Sequence, residues 1–183
     1  IQKQNEELLK LINKFLVLKR IEENNFILNK EDFSILEMIS EISKSKNILF
    51  DSAPIIIKNN KEENIEVRAD KEKIRIVLEN LIDNALKYSS LKKDVEIYTQ
   101  KVENYIKVNI TDKGAGIKKE FMKNIFQKYV SPEKEYIPIT SEQIPGLGIG
   151  LYLSKIIIKS HNGDIGFKTK EGEGSTFWFT LPL

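Results

Sequence analysis

Lys71-Glu72-Lys73-Ile74-Arg75-Ile76-Val77-Leu78-Glu79-Asn80-Leu81-Ile82-Asp83-Asn84-Ala85-Leu86-Lys87-Tyr88 is the stretch on which the fold turns. It holds no Gly or Pro, and Asp70 stands before it as a helix cap. At ~100° per residue, Ile74, Leu78, Leu81 and Ala85 gather on one side and Glu72, Arg75 and Glu79 on another. Asn80, Asn84 and Lys87 fall within roughly 60° of each other, on the border between those faces. Two amides and an ammonium beside an apolar face need partners, although solvent would satisfy any one of them alone.

Upstream of this helix the pattern is mixed. Leu8, Leu9, Leu11, Ile12, Phe15, Leu16 and Leu18 recur at helical spacing, so Gln2 to about Asn24 reads as a helix. Its stripe is wider than a narrow seam. It either packs on its own domain or forms one leg of a helical bundle between chains, and its shortness favours the bundle. Phe26 to Phe33 reads as a strand or extended link. Ser34 and Glu37 form a capping box, with Phe33 and Met38 as its staple, ahead of a helix from Ile35 to about Ser45. Ile55–Ile57 and Glu66–Arg68 read as short strands.

Downstream, Asp94–Val102 and Tyr105–Thr111 alternate as a hairpin. Asp112-Lys113-Gly114-Ala115-Gly116 interrupts, and a short helix is expected through Phe126. The stretch from Gln127 to about Leu147 carries Pro132, Pro138 and Pro145 and reads as a lid. Gly146, Gly148 and Gly150 open an apolar helix, Ile149 to about Ser160. Asp164–Thr169 and Ser175–Leu181 form a last hairpin. Strands joined in mixed order by hairpins and helices favour an α+β two-layer sandwich over a doubly wound parallel sheet.

Composition bounds the chemistry. The 183 residues suit one domain with an appendage. Lys and Arg total 29 against 27 Asp and Glu, a net charge of +2, which excludes a basic coat for non-specific nucleic-acid binding. Cysteine is absent and histidine occurs once, excluding disulfides, thiolate sites and a multi-histidine metal centre. No apolar run approaches the ~18 residues of a membrane span and no signal peptide is recognised. These features fit a soluble domain in a reducing compartment.

Four elements form one constellation. Glycines at 146, 148 and 150 before a helix let backbone N–H groups approach an anion. Their spacing is neither the dinucleotide nor the Walker fingerprint. Asp112, with Gly114 and Gly116, offers a carboxylate to an exocyclic amine and room for a flat ring. Asn80, Asn84 and Lys87 offer amide oxygens for Mg2+ and an ammonium for phosphate. The lid supplies closure.

In this order the chain resembles the catalytic ATP-binding domain of sensor histidine kinases, within the gyrase, Hsp90, histidine kinase and MutL ATPase superfamily. Asn80-Leu81-Ile82-Asp83-Asn84-Ala85-Leu86-Lys87-Tyr88 resembles the N box, and Asp112-Lys113-Gly114-Ala115-Gly116-Ile117 the first glycine box. Ile125-Phe126 is similar to the F box and Gly146-Leu147-Gly148-Ile149-Gly150-Leu151 to the second glycine box. Gly172-Glu173-Gly174-Ser175-Thr176-Phe177, followed by Leu181-Pro182, resembles the closing hairpin. The match spans about residues 33–183. Leu11–Asn24 resembles the end of the dimerisation and phosphotransfer hairpin, so the expected division is residues 1–25 and residues 26–183.

The resemblance implies the Bergerat ATP-binding fold, with ATP and Mg2+ as cofactors. By it, Asn84 holds Mg2+, Asn80 lies beside it, and Lys87 with Tyr88 reaches the phosphates. Asp112 accepts from the adenine amino group while Gly114, Gly116 and Ile117 line the ring. Gly146, Leu147, Gly148 and Gly150 wrap the phosphates, and Ser175 or Thr176 binds a water beside the adenine. The implied reaction moves the γ-phosphoryl group to a histidine and then to a response-regulator aspartate.

The implied partners are a response regulator and, in the full-length protein, a second copy. A membrane is reached only through other parts of the parent. The domain itself is expected on the cytoplasmic side.

Two departures stand out. His161, the only histidine, matches a helix-ending structural position, so no phosphoacceptor is expected in this chain. Many family members also carry an Arg five residues beyond the F-box Phe. Ser131 stands there, with Lys128 or Lys134 as substitutes. An ATP-hydrolysing relative of gyrase or Hsp90 type, or an anti-sigma serine kinase, is the alternative. Both carry Glu where this chain has Asn80. A degenerate module that binds only partners is disfavoured by the intact Asn84, Asp112 and glycines.

Overall fold

Alternation along two neighbouring strands sets the architecture. In the computed structural model, which describes residues 2–23, 25–49, 54–58, 65–89, 93–130 and 148–183, β5 (Tyr105–Asp112) pairs antiparallel with β7 (Gly174–Pro182). Ile106, Val108, Ile110 and Asp112 are paired with Leu181, Phe179, Phe177 and Ser175, and all eight are buried. Successive side chains of a strand point to opposite faces, so these residues form one inner row. β4 (Val95–Val102) and β6 (Ile165–Lys170) flank the pair in antiparallel fashion. β2 (Ile55–Ile57) adds to β4 in parallel, giving a five-stranded order β2-β4-β5-β7-β6.

Helices cover the inner face. α3 (Lys71–Tyr88) begins at Asp70, whose carboxylate accepts from the Lys73 N–H at 3.1 Å. Ile74, Val77, Leu78, Leu81, Ile82 and Ala85 are its buried side. α5 (Gly150–Ser160) lies against it and buries Leu153, Ile157 and Ile158. α2 (Ile35–Leu49) brings Ile35, Met38, Ile39 and Ile42 into the same core. Phe179 is wholly enclosed there, and truncating such a ring costs about 3–5 kcal/mol. A separate ribbon, β1 (Glu31–Ser34) with β3 (Glu66–Ala69), closes one end through Phe33 and Val67.

The expected α+β layering with a mainly antiparallel sheet is therefore found, and several element ends differ from expectation. α1 runs Gln2–Glu22. The strand expected over Phe26–Phe33 is confined to Glu31–Ser34, because β3 supplies only four partners. α2 extends a turn past Ser45, and Lys46 in that turn is buried and ion-paired with Asp83 of α3. The helix expected through Phe126 is only α4 (Lys119–Met122), with turns continuing to Tyr129. Leu18, Val17 and Ile21 at the end of α1 pack on the core, whereas Leu9, Ile12, Phe15 and Leu16 stay exposed. No helix among the described residues is long and apolar enough to cross a membrane.

Candidate nucleotide site

The last turns of α3 meet the turn after β5. The contact is close: a Cβ on Gly114 would lie 1.9 Å from the Tyr88 carbonyl oxygen. Only a residue without a side chain fits. That approach sets the backbone of Tyr88, the last residue of α3, against Gly114, with Asn84 one turn earlier on the same helix. Asn84 is half-buried, and Lys87 and Tyr88 are exposed. The Lys87 ammonium stands 5.3 Å from the Tyr88 ring centroid.

Asp112 ends β5 and is only 4% exposed. Its Oδ1 accepts the Gly114 N–H at 2.9 Å. Burial pushes the carboxyl above its usual range, against the pull of the backbone N–H groups of Gly114 and Ser175. Gly116 turns the chain with a φ of 71°, and Gly174, across from it, has a φ of 103°. A Cβ on Gly174 would sit 2.2 Å from the Asp112 carbonyl oxygen. The closing hairpin thus holds the glycine turn from behind, helped by the Gly172 N–H donating to the Ala115 carbonyl at 2.7 Å.

Thr169 of β6 is a hub with no motif around it. Its Oγ1 accepts the Ile117 N–H at 2.9 Å, donates to the Gly174 carbonyl at 3.1 Å and lies 3.0 Å from Ser175 Oγ. The only signal in the sequence is a polar residue continuing the alternation of Ile165 and Phe167. Register separates the two hydroxyl candidates. Ser175 is paired with Asp112 and shares its inner face. Thr176 faces the other side of the sheet and bonds Thr111 at 2.9 Å. Thr176 is thus not gathered with Asp112.

Asn80 is held by α5. It is 3% exposed, and its Nδ2 donates to the Gly150 carbonyl at 3.3 Å and lies 3.4 Å from Ser154 Oγ. It therefore ties α3 to the first turn of α5, one turn before Asn84. Gly148 precedes that helix with a φ of 66°, and its carbonyl accepts the Tyr129 N–H at 2.9 Å. Residues 131–147 of the expected lid, Ser131, Lys134, Gly146 and Leu147 among them, lie outside the described residues.

Lys128 belongs to the described part of the expected lid. It pairs with Glu22 of α1 at 2.6 Å and stands 5.0 Å from the Tyr152 ring. A groove of about 600 Å3 beside it runs along the outer side of α5, between Phe126, Tyr152 and Ile156. It contains none of the residues gathered around Asp112.

The family described as histidine kinase-, DNA gyrase B- and HSP90-like ATPase matches residues 69–183. The sensor histidine kinase WalK of Bacillus subtilis (strain 168) is 30% identical over 189 residues, covering 99% of this chain and 29% of that protein. The chain thus spans under a third of that relative's length. The Acinetobacter baumannii histidine kinase AdeS superposes with a TM-score of 0.73 at 23% identity, covering 99% of this chain and 81% of that one. Full-length ShkA in complex with AMPPNP superposes with a TM-score of 0.78 at 19% identity, covering 98% of this chain and 36% of that one. From Ala69 to Leu183, a stretch that includes α3, the Asp112 turn, α5 and the closing hairpin, this chain belongs to the histidine kinase-, DNA gyrase B- and HSP90-like ATPase family.

Proposed function

We propose that this is the ATP-binding catalytic domain of a two-component sensor histidine kinase, which presents the γ-phosphoryl group of ATP to a histidine. Residues 1–25 act as part of a dimerisation and phosphotransfer helix and residues 26–183 as the catalytic unit. The observation that carries the reading is the meeting of the Asn84-bearing turns with Asp112 through the Tyr88–Gly114 contact. The AMPPNP bound to ShkA supports a nucleotide in the equivalent fold.

Asp112 accepts the adenine amino group, with Ser175 holding a water beside it and Gly114, Gly116 and Ile117 lining the ring. Lys87 and Tyr88 reach toward the phosphates, and Gly146 to Gly150 wrap them. No group of three His, Asp or Glu among the described residues is placed to hold a metal by itself. The Asn84 amide oxygen suits a hard cation completed by phosphate oxygens and water. Mg2+, when bound with ATP, neutralises phosphate charge. The chain positions the reactants and supplies no nucleophile.

His161 is 2% exposed with both ring nitrogens bonded, so another histidine receives the phosphoryl group. A response regulator is then the onward partner, and a second copy of the parent the dimer partner. The hydrolytic and serine-kinase alternatives are disfavoured. Asn80, where they carry Glu, is a buried amide bonded to α5, and Asp83 is paired with Lys46. Neither is placed to activate water.

Calorimetric titration with ATP, with and without Mg2+, tests the reading. The expected outcome is binding that depends on Mg2+ and disappears in Asn84→Ala with an unchanged melting temperature. Binding indifferent to both the metal and the substitution would remove the assignment.

A further inference from the structure

α3 and α5 are joined at two points. Asn80 bonds the carbonyl of Gly150 at the start of α5. His161, at the other end of α5, accepts the backbone N–H of Asp70 through Nε2 at 2.9 Å. The two ties are separated by ten residues along α3 and eleven along α5, about 15 and 16 Å of helix. The helices therefore run antiparallel, and the second tie sets their alignment at the end remote from Asn84 and Gly148. We infer that His161 is a positioning residue for the nucleotide site: its neutral imidazole closes this clamp, and acidification opens it and weakens nucleotide binding. This inference rests on the nucleotide reading above and adds its regulation by pH.

The hydrogen bonds allow one protonation state. Nδ1 is 2.8 Å from the Ile157 carbonyl, which only accepts, so Nδ1 carries the proton. The Asp70 N–H only donates, so Nε2 must be bare. Adding a proton to Nε2 would turn that bond into two N–H groups facing each other inside the protein. The ring is 2% exposed, so water does not relieve the contact.

The charged groups acting on the ring are Asp70 and Lys73 at the start of α3 and Lys30 before β1. The Asp70 carboxylate is already committed to the Asn29 N–H, the Lys73 N–H and the Lys73 ammonium. Burial tends to raise that carboxyl, and these donors outweigh it and leave it below its usual range. Among the described residues, Asp70 is the carboxylate that acts on the ring. Burial also pushes His161 below its ordinary 6.5, with Lys30 and Lys73 adding to the effect and the Ile157 carbonyl and Asp70 opposing it. The sign follows. The neutral ring contributes fully above the unfolded value, and the contribution is lost as pH falls through the lower folded value.

His161 is the only histidine, so a tag-free chain reports one imidazole by nitrogen NMR. The expected spectrum shows an Nδ1–H tautomer that titrates below 6.5. His161→Gln keeps an acceptor oxygen for the Asp70 N–H and removes the titration. Between pH 7.5 and 5.5 the wild-type melting temperature should fall by about 3 °C more than that of the Gln variant. Once the ring is protonated, wild-type affinity for ADP should be about threefold lower relative to the Gln variant than at pH 7.5. An Nε2–H tautomer, or a titration at or above 6.5, overturns the inference. So do parallel pH courses of melting or affinity in the two proteins. If the wild type binds no nucleotide at either pH, the nucleotide reading fails, and the spectrum and melting curves still decide the clamp.

Discussion

The two sides of the candidate site are built differently. Around Asp112 the backbone itself leaves no space: side chains on Gly114, Gly116 or Gly174 would come within 2.3 Å of carbonyl oxygens of Tyr88, Lys170 or Asp112. Asp112 and Ser175 are buried and held by neighbouring backbone and hydroxyl groups. On the α3 side, Asn84 is half-buried and Tyr88 is 42% exposed. Backbone packed this closely holds the Asp112 carboxylate in a fixed position, which suits a rigid ring whose shape does not vary. Side chains at a helix edge suit phosphates, which have many rotamers and bring a cation with them. Packing at the first side fixes geometry in advance, while the second side is more open to solvent.

This contrast is most directly broken at Gly114. Gly114→Ala should destabilise the domain by about 3 kcal/mol, an overpacking cost, because its methyl group meets backbone that cannot rotate away. Chemical denaturation would read the loss, and nucleotide binding should go with it. A stable Ala variant with normal binding would mean that the turn is looser than its contacts imply.

Asp112→Asn separates stability from recognition. Adenine-nucleotide affinity should fall by about 1.5–3 kcal/mol, the range for a charged hydrogen bond. Stability should move the other way. A carboxyl whose folded value is raised above 3.8 favours the protonated folded chain, so stability is lost as pH rises through that window. At neutral pH the buried carboxylate is therefore a cost. Asparagine keeps an acceptor for the Gly114 N–H without the charge, and the melting temperature without ligand should rise. A fall in melting temperature at pH 7 would contradict the burial argument.

The smallest effects distinguish the two faces of β7. Ser175→Ala should weaken nucleotide binding by about 1 kcal/mol, one hydrogen bond. Thr176→Ala should leave it unchanged, because that hydroxyl lies with Thr111 on the opposite face. Equal losses in a titration calorimeter would mean that strand register does not decide which hydroxyl serves the site.

Local patterns in the sequence determined a large part of this protein. The three-and-four spacing from Ile74 to Ala85, the Asp70 cap, the alternation of β5 and β7 and the ordered glycine turns each depend on neighbours in the chain, so they can be read from it. Tertiary structure alone decided the partners. Asn80 looks like a companion of Asn84 on a helix wheel, yet it bonds Gly150, 70 residues away. Lys128 reads as a substitute for a lid arginine, and the fold pairs it with Glu22, 106 residues away. Ser175 and Thr176 are adjacent hydroxyls until pairing with β5 sends them to opposite faces. Thr169 and His161 acquire their roles only when distant backbone groups reach them. Periodicity fixes which face of an element is apolar, whereas a polar side chain takes whichever donor or acceptor the packed elements bring within about 3 Å.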